Sequence, residues 1–413
     1  MASLSINESD KNILRHLAGR VAELASRPSE DKKRKLWSEH NDLRTDYPVV
    51  FIDPENGWYE IICPDNLQTH SELARKWEFT LRKEIYWGES LKDDRVIAAN
   101  FNVPYIYSNT GWGLDVDKIG GENLGAYKIN VALKDYEEDF HKLRFPKIIL
   151  DREASRHILE LGCEIFDGIL NVKQRNPWWW SLGLTNQYIH LRGLEEFMYD
   201  LLLEPEWVRK TVEFLFKGYM EMLDYLEAEG LLSQDFSAYV GSGGFGFTEQ
   251  IPVKADGQKI LTSDIWGFVE SQEMVSVSPD MYGEFVFPFH KKIAERFALN
   301  CYACCEPYEP RWKYAKQIKN LRRVSCSPWS DRSKTSELLG KDYIASIKLS
   351  PTAIAVPQMD ETVVRHEIRD ALKGGSGCIM ELIMKDNNTL GGNPNNAVRW
   401  VEIAREEIAK IYG

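Results

Sequence analysis

The fold class turns on Leu299-Asn300-Cys301-Tyr302-Ala303-Cys304-Cys305-Glu306-Pro307. A short apolar, strand-like run ends in three cysteines within five residues, and a Glu and then a Pro stop it. Reactive side chains at the C-terminal end of a strand are what a (β/α)8 barrel displays, because its chemistry is built there. Strand alternation puts Cys304 on the side opposite Cys305, so only one of them can point into a site unless the strand has already ended. In a chain with no secretory features, clustered cysteines read as metal ligands or a reactive thiol rather than a disulfide framework. The alternative is two buried structural thiols and one exposed one.

Outward from this stretch, strand-like and helix-like segments alternate. Strand candidates lie near 49–53, 97–107, 168–172, 236–241, 299–304, 322–326, 345–349 and 378–384. Helix candidates lie near 70–84, 151–166, 193–203, 205–229, 280–297, 335–342, 360–373 and 394–412. The clearest helix carries Val208, Val212, Leu215, Tyr219, Met222 and Leu226 at spacings of four and three. Asp360 caps the helix at 360–373, and Gly374-Gly375 stops it. The alternation predicts a parallel α/β sheet, and its repetition about eight times predicts a closed (β/α)8 TIM barrel over residues 47–413. Ahead of it, Ile13, Leu17, Val21 and Leu24 mark an amphipathic helix that Pro28 stops, and Ser29 can cap a second helix to about Asp42. Residues 1–46 are therefore expected to form an N-terminal helical extension.

The composition narrows the function. With 413 residues, 43% hydrophobic and 28% charged, the chain can bury a large core. The net charge is −12 and the longest basic block is Lys32-Lys33-Arg34-Lys35, which argues against nucleic acid and anionic membranes as partners. No apolar run approaches a membrane span, and the start MASLSINESDKN has no signal core, so a cytoplasmic protein with reduced thiols is expected. Thirteen tryptophans either fill the core or line a pocket for a flat ligand.

Several motifs carry chemistry. Gly241-Ser242-Gly243-Gly244-Phe245-Gly246 fits G-x-G-x-x-G, but Phe247-Thr248-Glu249-Gln250-Ile251-Pro252 is a poor helix start, so a flexible βα loop is favoured over a dinucleotide site. Trp178-Trp179-Trp180 cannot all face a core, and at least one should face a cavity or an interface. Glu270 and Gln272 follow an apolar tripeptide, where a general base, a metal ligand, a substrate contact or a solvated carboxylate would sit. A soft divalent metal, zinc first, suits thiolates with carboxylate partners. The candidates are Cys304, Cys305, Glu306 and Cys326, with Glu381 or Asp386 on the last strand. Taken alone, His190 and His290 read as surface or core residues.

The chain resembles the uroporphyrinogen decarboxylase-like superfamily, in its corrinoid-linked methyltransferase branch. The ordered motifs are Leu36-Trp37 with Asn41-Asp42-Leu43, Arg192-Gly193-Leu194-Glu195-Glu196-Phe197-Met198 and Leu226-Glu227-Ala228-Glu229-Gly230-Leu231-Leu232. They continue through Glu270-Ser271-Gln272-Glu273, Tyr302-Ala303-Cys304-Cys305-Glu306-Pro307, Leu321-Arg322-Arg323-Val324-Ser325, Ser327-Pro328-Trp329-Ser330-Asp331 and Ser346-Ile347-Lys348-Leu349-Ser350-Pro351. The family fold is a (β/α)8 barrel. Relatives hold zinc with a His-x-Cys pair and a distant Cys; here Tyr302 stands where the histidine would be, and Lys385-Asp386-Asn387-Asn388-Thr389 has no cysteine. Where related methionine synthases carry a glutamate ligand, this chain has Cys326. The decarboxylase's Arg-rich N-terminal signature is missing, and so is the D-x-H-x-x-G of a corrinoid carrier.

The resemblance implies a methyltransferase component. It would take a methyl group from a small methylated substrate, an aryl methyl ether or a methylated amine, to the cobalt of a separate corrinoid protein. Cys304, Cys305, Glu306 and Cys326 would hold zinc; Glu270, Glu381 and Asp386 would supply the acid or a further ligand. Trp178, Trp180 and Tyr188 would wall the substrate, with His190 and Gln272 as polar contacts. Two alternatives stay open: a metal-independent decarboxylase or lyase using Glu270, His190 and Asp386, and a non-catalytic subunit that docks the corrinoid protein. Barrels of this group often dimerise, so a homodimer also stays open.

Overall fold

Six short runs make one parallel sheet in the computed structural model, which describes residues 5–116, 118–120, 127–255 and 257–413. In chain order the parallel strands are β1 (Val49–Ile52), β2 (Asn100–Val103), β3 (Asn171–Gln174), β4 (Trp266–Val269), β5 (Leu299–Tyr302), β6 (Leu321–Cys326), β7 (Ile344–Lys348) and β8 (Ile379–Met384). Six of them are hydrogen-bonded in the order β1-β8-β7-β6-β5-β4, while β2 pairs with β3. The α/β class and the parallel sheet are as expected. A closed eight-stranded ladder is not present: among the described residues no hydrogen-bonded ladder joins β1 to β2 or β3 to β4.

Strands β1, β5, β7 and β8 are buried along their whole length, as strands covered on both faces must be. Two small antiparallel pairs, Ile106–Asn109 with Ile148–Asp151 and Lys118–Gly120 with Tyr127–Ile129, lie outside this arrangement. The expected strand at 97–107 is split into Asn100–Val103 and Ile106–Asn109, with Pro104 between them unable to donate to a ladder. The helix expected at 280–297 breaks into Pro279–Phe285 and Phe287–Ala294, because Pro288 opens the second piece.

The strand expected at 236–241 does not form, and β4 at Trp266–Val269 takes its place in the sheet. Residues 239–245 instead make a hairpin tied by a single bridge, Tyr239 to Phe245. This hairpin lies on one face of the sheet and needs its glycines there. Gly241 has φ +65 and Gly244 φ +78. A Cβ on Gly241 would stand 2.6 Å from the Cys301 sulfur, and one on Gly244 would stand 2.8 Å from Glu381 Oε1 and 2.9 Å from the Arg323 guanidinium. The face covered by the hairpin therefore carries Phe268, Cys301, Arg323 and Glu381.

Helix Glu8–Ala25 buries Leu14, Ala18, Val21 and Leu24, a face centred one residue past Ile13 and Leu17. It ends at Ala25, and Pro28 opens the next helix, Pro28–Asn41, instead of stopping the first. The second helix delivers His40 and Asn41 beneath the sheet. His40 Nε2 lies 3.2 Å from Glu381 Oε2, and Asn41 donates at 2.7 Å to the carbonyls of Phe245 and Phe247. Among the described residues no helix is long and apolar enough to cross a membrane.

Candidate functional site

Polar groups collect just past the C-terminal ends of the strands: Asp53 and Glu55 after β1, Ser181 in the connection after β3, and Glu270 after β4. Ala303 to Glu306 follow β5, Lys348 closes β7, and Lys385 and Asp386 follow β8. Glu55 (φ +47), Ala303 (φ +70) and Asp386 (φ +62) are three of the five described non-glycine residues with positive φ. Backbone held in such sparsely populated conformations concentrates at functional sites.

Ala303 settles the fate of the cysteines. β5 ends at Tyr302, and the left-handed turn at Ala303 cancels the alternation that would have separated Cys304 from Cys305. Their sulfurs lie 3.6 Å apart, with Cys304 buried and Cys305 exposed. Glu306 braces the turn, one oxygen accepting the Cys304 N–H and the other the Ser271 N–H, each at 2.8 Å. Lys348, only 2% exposed, donates to Ser242 Oγ and to the Cys304 carbonyl at 3.2 Å, and lies 3.8 Å from the Cys304 sulfur. The hydrogen bond with Cys304 holds the Cys305 thiol below its ordinary range against the effect of burial, and Lys348 adds to it; Cys304 moves upward correspondingly.

Glu270 is fully buried. Ser181 Oγ donates to one of its oxygens at 3.0 Å and the Gln272 N–H to the other at 3.1 Å. Burial, then the charges of Glu273 and Glu306, push its carboxyl well above the ordinary range, which favours the protonated form, one that can give up a proton.

A cleft of about 760 Å³ is lined among others by Asp53, Glu55, Lys83, Arg95, Trp180, Tyr239 and Lys385; Glu270, Cys304, Cys305 and Lys348 do not line it. Tyr239 donates to Asp53, whose other oxygen takes the Trp58 indole N–H at 2.9 Å. Arg95 pairs with Glu84 at 2.5 Å and lies 4.0 Å over the Trp87 ring. Lys83 stands over Trp58 and Trp87 and makes no ion pair among the described residues; burial lowers its pKa. A second cleft, of about 750 Å³, runs among the outer helices and is lined by no strand residue.

The expected site residues separate. Trp180 is 49% exposed and lines the cleft against Phe268, and Trp179, not expected there, lines it too. Trp178 lines a smaller neighbouring cavity, packed on Tyr105 and Tyr107. Tyr188 is fully buried, its hydroxyl 2.7 Å from that of Tyr136. His190 bonds its own helix at the Asn186 carbonyl, and Gln272 sits half-buried beside Glu270. Glu381 lies mid-strand, in an ion pair with Arg323 at 3.0 Å. Asp386 is exposed, 3.7 Å from Lys385.

These placements do not fit a zinc centre, which takes about four ligands in structural sites and three when catalytic. Both Glu306 oxygens already accept backbone N–H groups. Glu381 is held by Arg323 and His40. Cys326 packs with Val324 in the main core, whereas Cys301 and Cys304 belong to a separate apolar cluster. Among the described residues no three His, Cys, Asp or Glu side chains gather where they could hold a metal ion. Only the Cys304 and Cys305 sulfurs meet.

Sequence reasoning passed over Lys348, Ser181, Lys83 and Arg95. Lys348 carried a legible signal, a lone cation in the apolar run Ile344-Ala345-Ser346-Ile347-Lys348-Leu349. The other three carried none.

No family model matches the chain, and no curated protein matches it. Among solved structures, a methyltransferase from Methanosarcina mazei is similar over 80% of this chain and 86% of its own, at 12% identity and a TM-score of 0.45, too distant a likeness to carry an argument.

Proposed function

We propose that the chain is a methyltransferase component that takes a methyl group from a small methylated substrate, an aryl methyl ether or a methylated amine, and passes it to the cobalt of a separate corrinoid protein. This reading takes β1 to β8 as one (β/α)8 barrel with the cleft at its mouth. The observation that carries it is Glu270, a fully buried carboxyl one residue past the end of β4 and two beyond the cleft-lining Phe268, held by Ser181 and the Gln272 N–H, whose protonated form burial favours. Cleaving a methyl–oxygen bond leaves a poor leaving group unless its oxygen is protonated, and a neutral carboxyl held in place can do that. Trp179 and Trp180 offer flat apolar walls, and Lys83, without an ion-pair partner among the described residues, can orient a substrate anion. No step is assigned to zinc. The corrinoid supplies the methyl-accepting metal; this chain binds and orients the substrate and delivers the proton.

The test is methylation of free cob(I)alamin by the purified chain with a panel of methoxyarenes and methylamines, followed by its absorbance. Turnover that Glu270→Gln abolishes, with substrate binding retained, is the expected result. No methylation from any donor, with or without corrinoid protein, overturns the proposal.

A second reading starts from the same buried Glu270, a decarboxylase or lyase in which this carboxyl moves a proton. Carbon dioxide release from carboxylated substrates, without methyl transfer, would establish it.

A further inference from the structure

Buried charges need a counter-charge or a dense set of hydrogen bonds, and Lys348 is the buried cation whose partner is unusual. Arg323 has Glu381, Arg95 has Glu84, and Arg311, with no carboxylate among the described ion pairs, donates to Ser271 and the Met274 carbonyl, all oxygen acceptors. Lys348 has no carboxylate among the described ion pairs; its ammonium faces a hydroxyl, a carbonyl and, at 3.8 Å, the sulfur of Cys304. The Cys304 sulfur is the acidic group it contacts, and the Cys305 sulfur lies next to that one. The exposed one, Cys305, is backed at 3.6 Å by a second thiol that solvent does not reach. An accessible sulfur with a resolving thiol behind it, beside a positive charge, is the arrangement of a cysteine that is oxidised reversibly.

We propose that Cys304 and Cys305 form a reversible modification site for hydroperoxides. The Cys305 sulfur attacks the peroxide; the O–O bond breaks, an S–O bond forms, and the departing hydroxide takes the Cys305 proton and leaves as water. The Cys304 sulfur then attacks the oxidised sulfur, forming an S–S bond and breaking S–O, and the second hydroxide takes the Cys304 proton. Two thiols and one peroxide give one disulfide and two waters. The turn at Ala303 and the Glu306 brace already hold the sulfurs together, so closure needs no movement of a distant segment. A disulfide between neighbouring residues joins Cα atoms about 3.8 Å apart, short of the usual span, which favours ready reduction. Its formation also removes the thiol that faces Lys348. The site is independent of the reaction proposed above.

The experiment uses the full chain and hydrogen peroxide at one equivalent. Intact mass should fall by two hydrogens, a digest should show Cys304 joined to Cys305 and protected from iodoacetamide, and dithiothreitol should restore both thiols. In Cys304→Ser the reaction should stop at sulfenic acid, trapped by dimedone on Cys305. Persistence of both thiols after peroxide is consumed overturns the proposal. So does oxidation of the exposed Cys163 ahead of the pair, or a Cys304→Ser protein with no adduct at Cys305.

Discussion

Substituting Glu381 by Gln separates a structural from a catalytic carboxylate. Glu381 is fully buried; Arg323 Nε lies 3.0 Å from one oxygen and His40 Nε2 3.2 Å from the other. Burial alone would push its pKa up, but Arg323 and His40 overcome that and hold it below the ordinary value, so it is ionised. Gln keeps the shape and removes the charge, leaving the Arg323 guanidinium buried with Asn41 Oδ1, the Phe245 carbonyl and the Trp266 ring but no described anion. Breaking a buried pair by removing one partner costs about 3–5 kcal/mol. At about 2.1 cal/mol/K of unfolding entropy per residue, a chain this long loses roughly 1 °C of Tm per kcal/mol, so a fall of about 3–6 °C is expected. Replacing both partners, Glu381→Leu with Arg323→Met, should recover much of it, since an apolar pair leaves no stranded charge. Calorimetry of the three proteins reads this, beside turnover per folded molecule under the methyl-transfer assay. Unchanged Tm in Glu381→Gln with activity abolished would refute the structural assignment and return Glu381 to the chemistry.

Other outcomes follow from single contacts. Gly244→Ala should destabilise by about 2–5 kcal/mol, combining the left-handed backbone penalty with overpacking against Glu381 and Arg323. Gly230→Ala, at φ +64 in open space, should show the backbone part alone, and equal losses in chemical denaturation would contradict the hairpin contacts. Glu270 has a raised folded pKa, so the native state holds a proton that the unfolded chain releases; stability should fall as pH rises above about 4.5. Glu270→Gln should flatten that slope, and an unchanged urea midpoint-versus-pH curve would deny the carboxyl its buried, protonated state. Trp180→Ala should leave Tm nearly unchanged, because the ring is half exposed, while weakening an aromatic cleft ligand roughly 2–10-fold by calorimetric titration. Equal affinity would move the ligand off that wall.

What the chain discloses in one dimension depends on whether a feature is periodic. Helix Pro205–Ala228 was plain from its spacing, and the apolar runs at β5 to β8 were plain from composition. The β4 run Trp266-Gly267-Phe268-Val269 lost to Phe236-Ser237-Ala238-Tyr239-Val240 because both are short and apolar; glycines with positive φ after the second run decide against it only once their backbone is seen. The cysteines failed differently. Alternation holds only while the strand lasts, and Ala303 ends it with a left-handed turn that no residue type announces. The carboxylates were more legible than they were made to be. Glu381 is the third residue of a six-residue strand, so it lies inside the sheet, whereas Glu270 stands one residue past the end of β4. That difference orders the buried charges of the sheet and its strand ends. Within the strands, Glu381 and Arg323 neutralise each other with His40 beside them, which fixes the sheet to helix Pro28–Asn41. At the strand ends, Glu270 is satisfied by keeping its proton and Lys348 by a hydroxyl, a carbonyl and a sulfur. Full ion pairs resist change, while a held proton and a shared sulfur can be given up. The chemistry proposed for this chain therefore draws on the strand ends, and the pair in the middle holds the sheet that presents them.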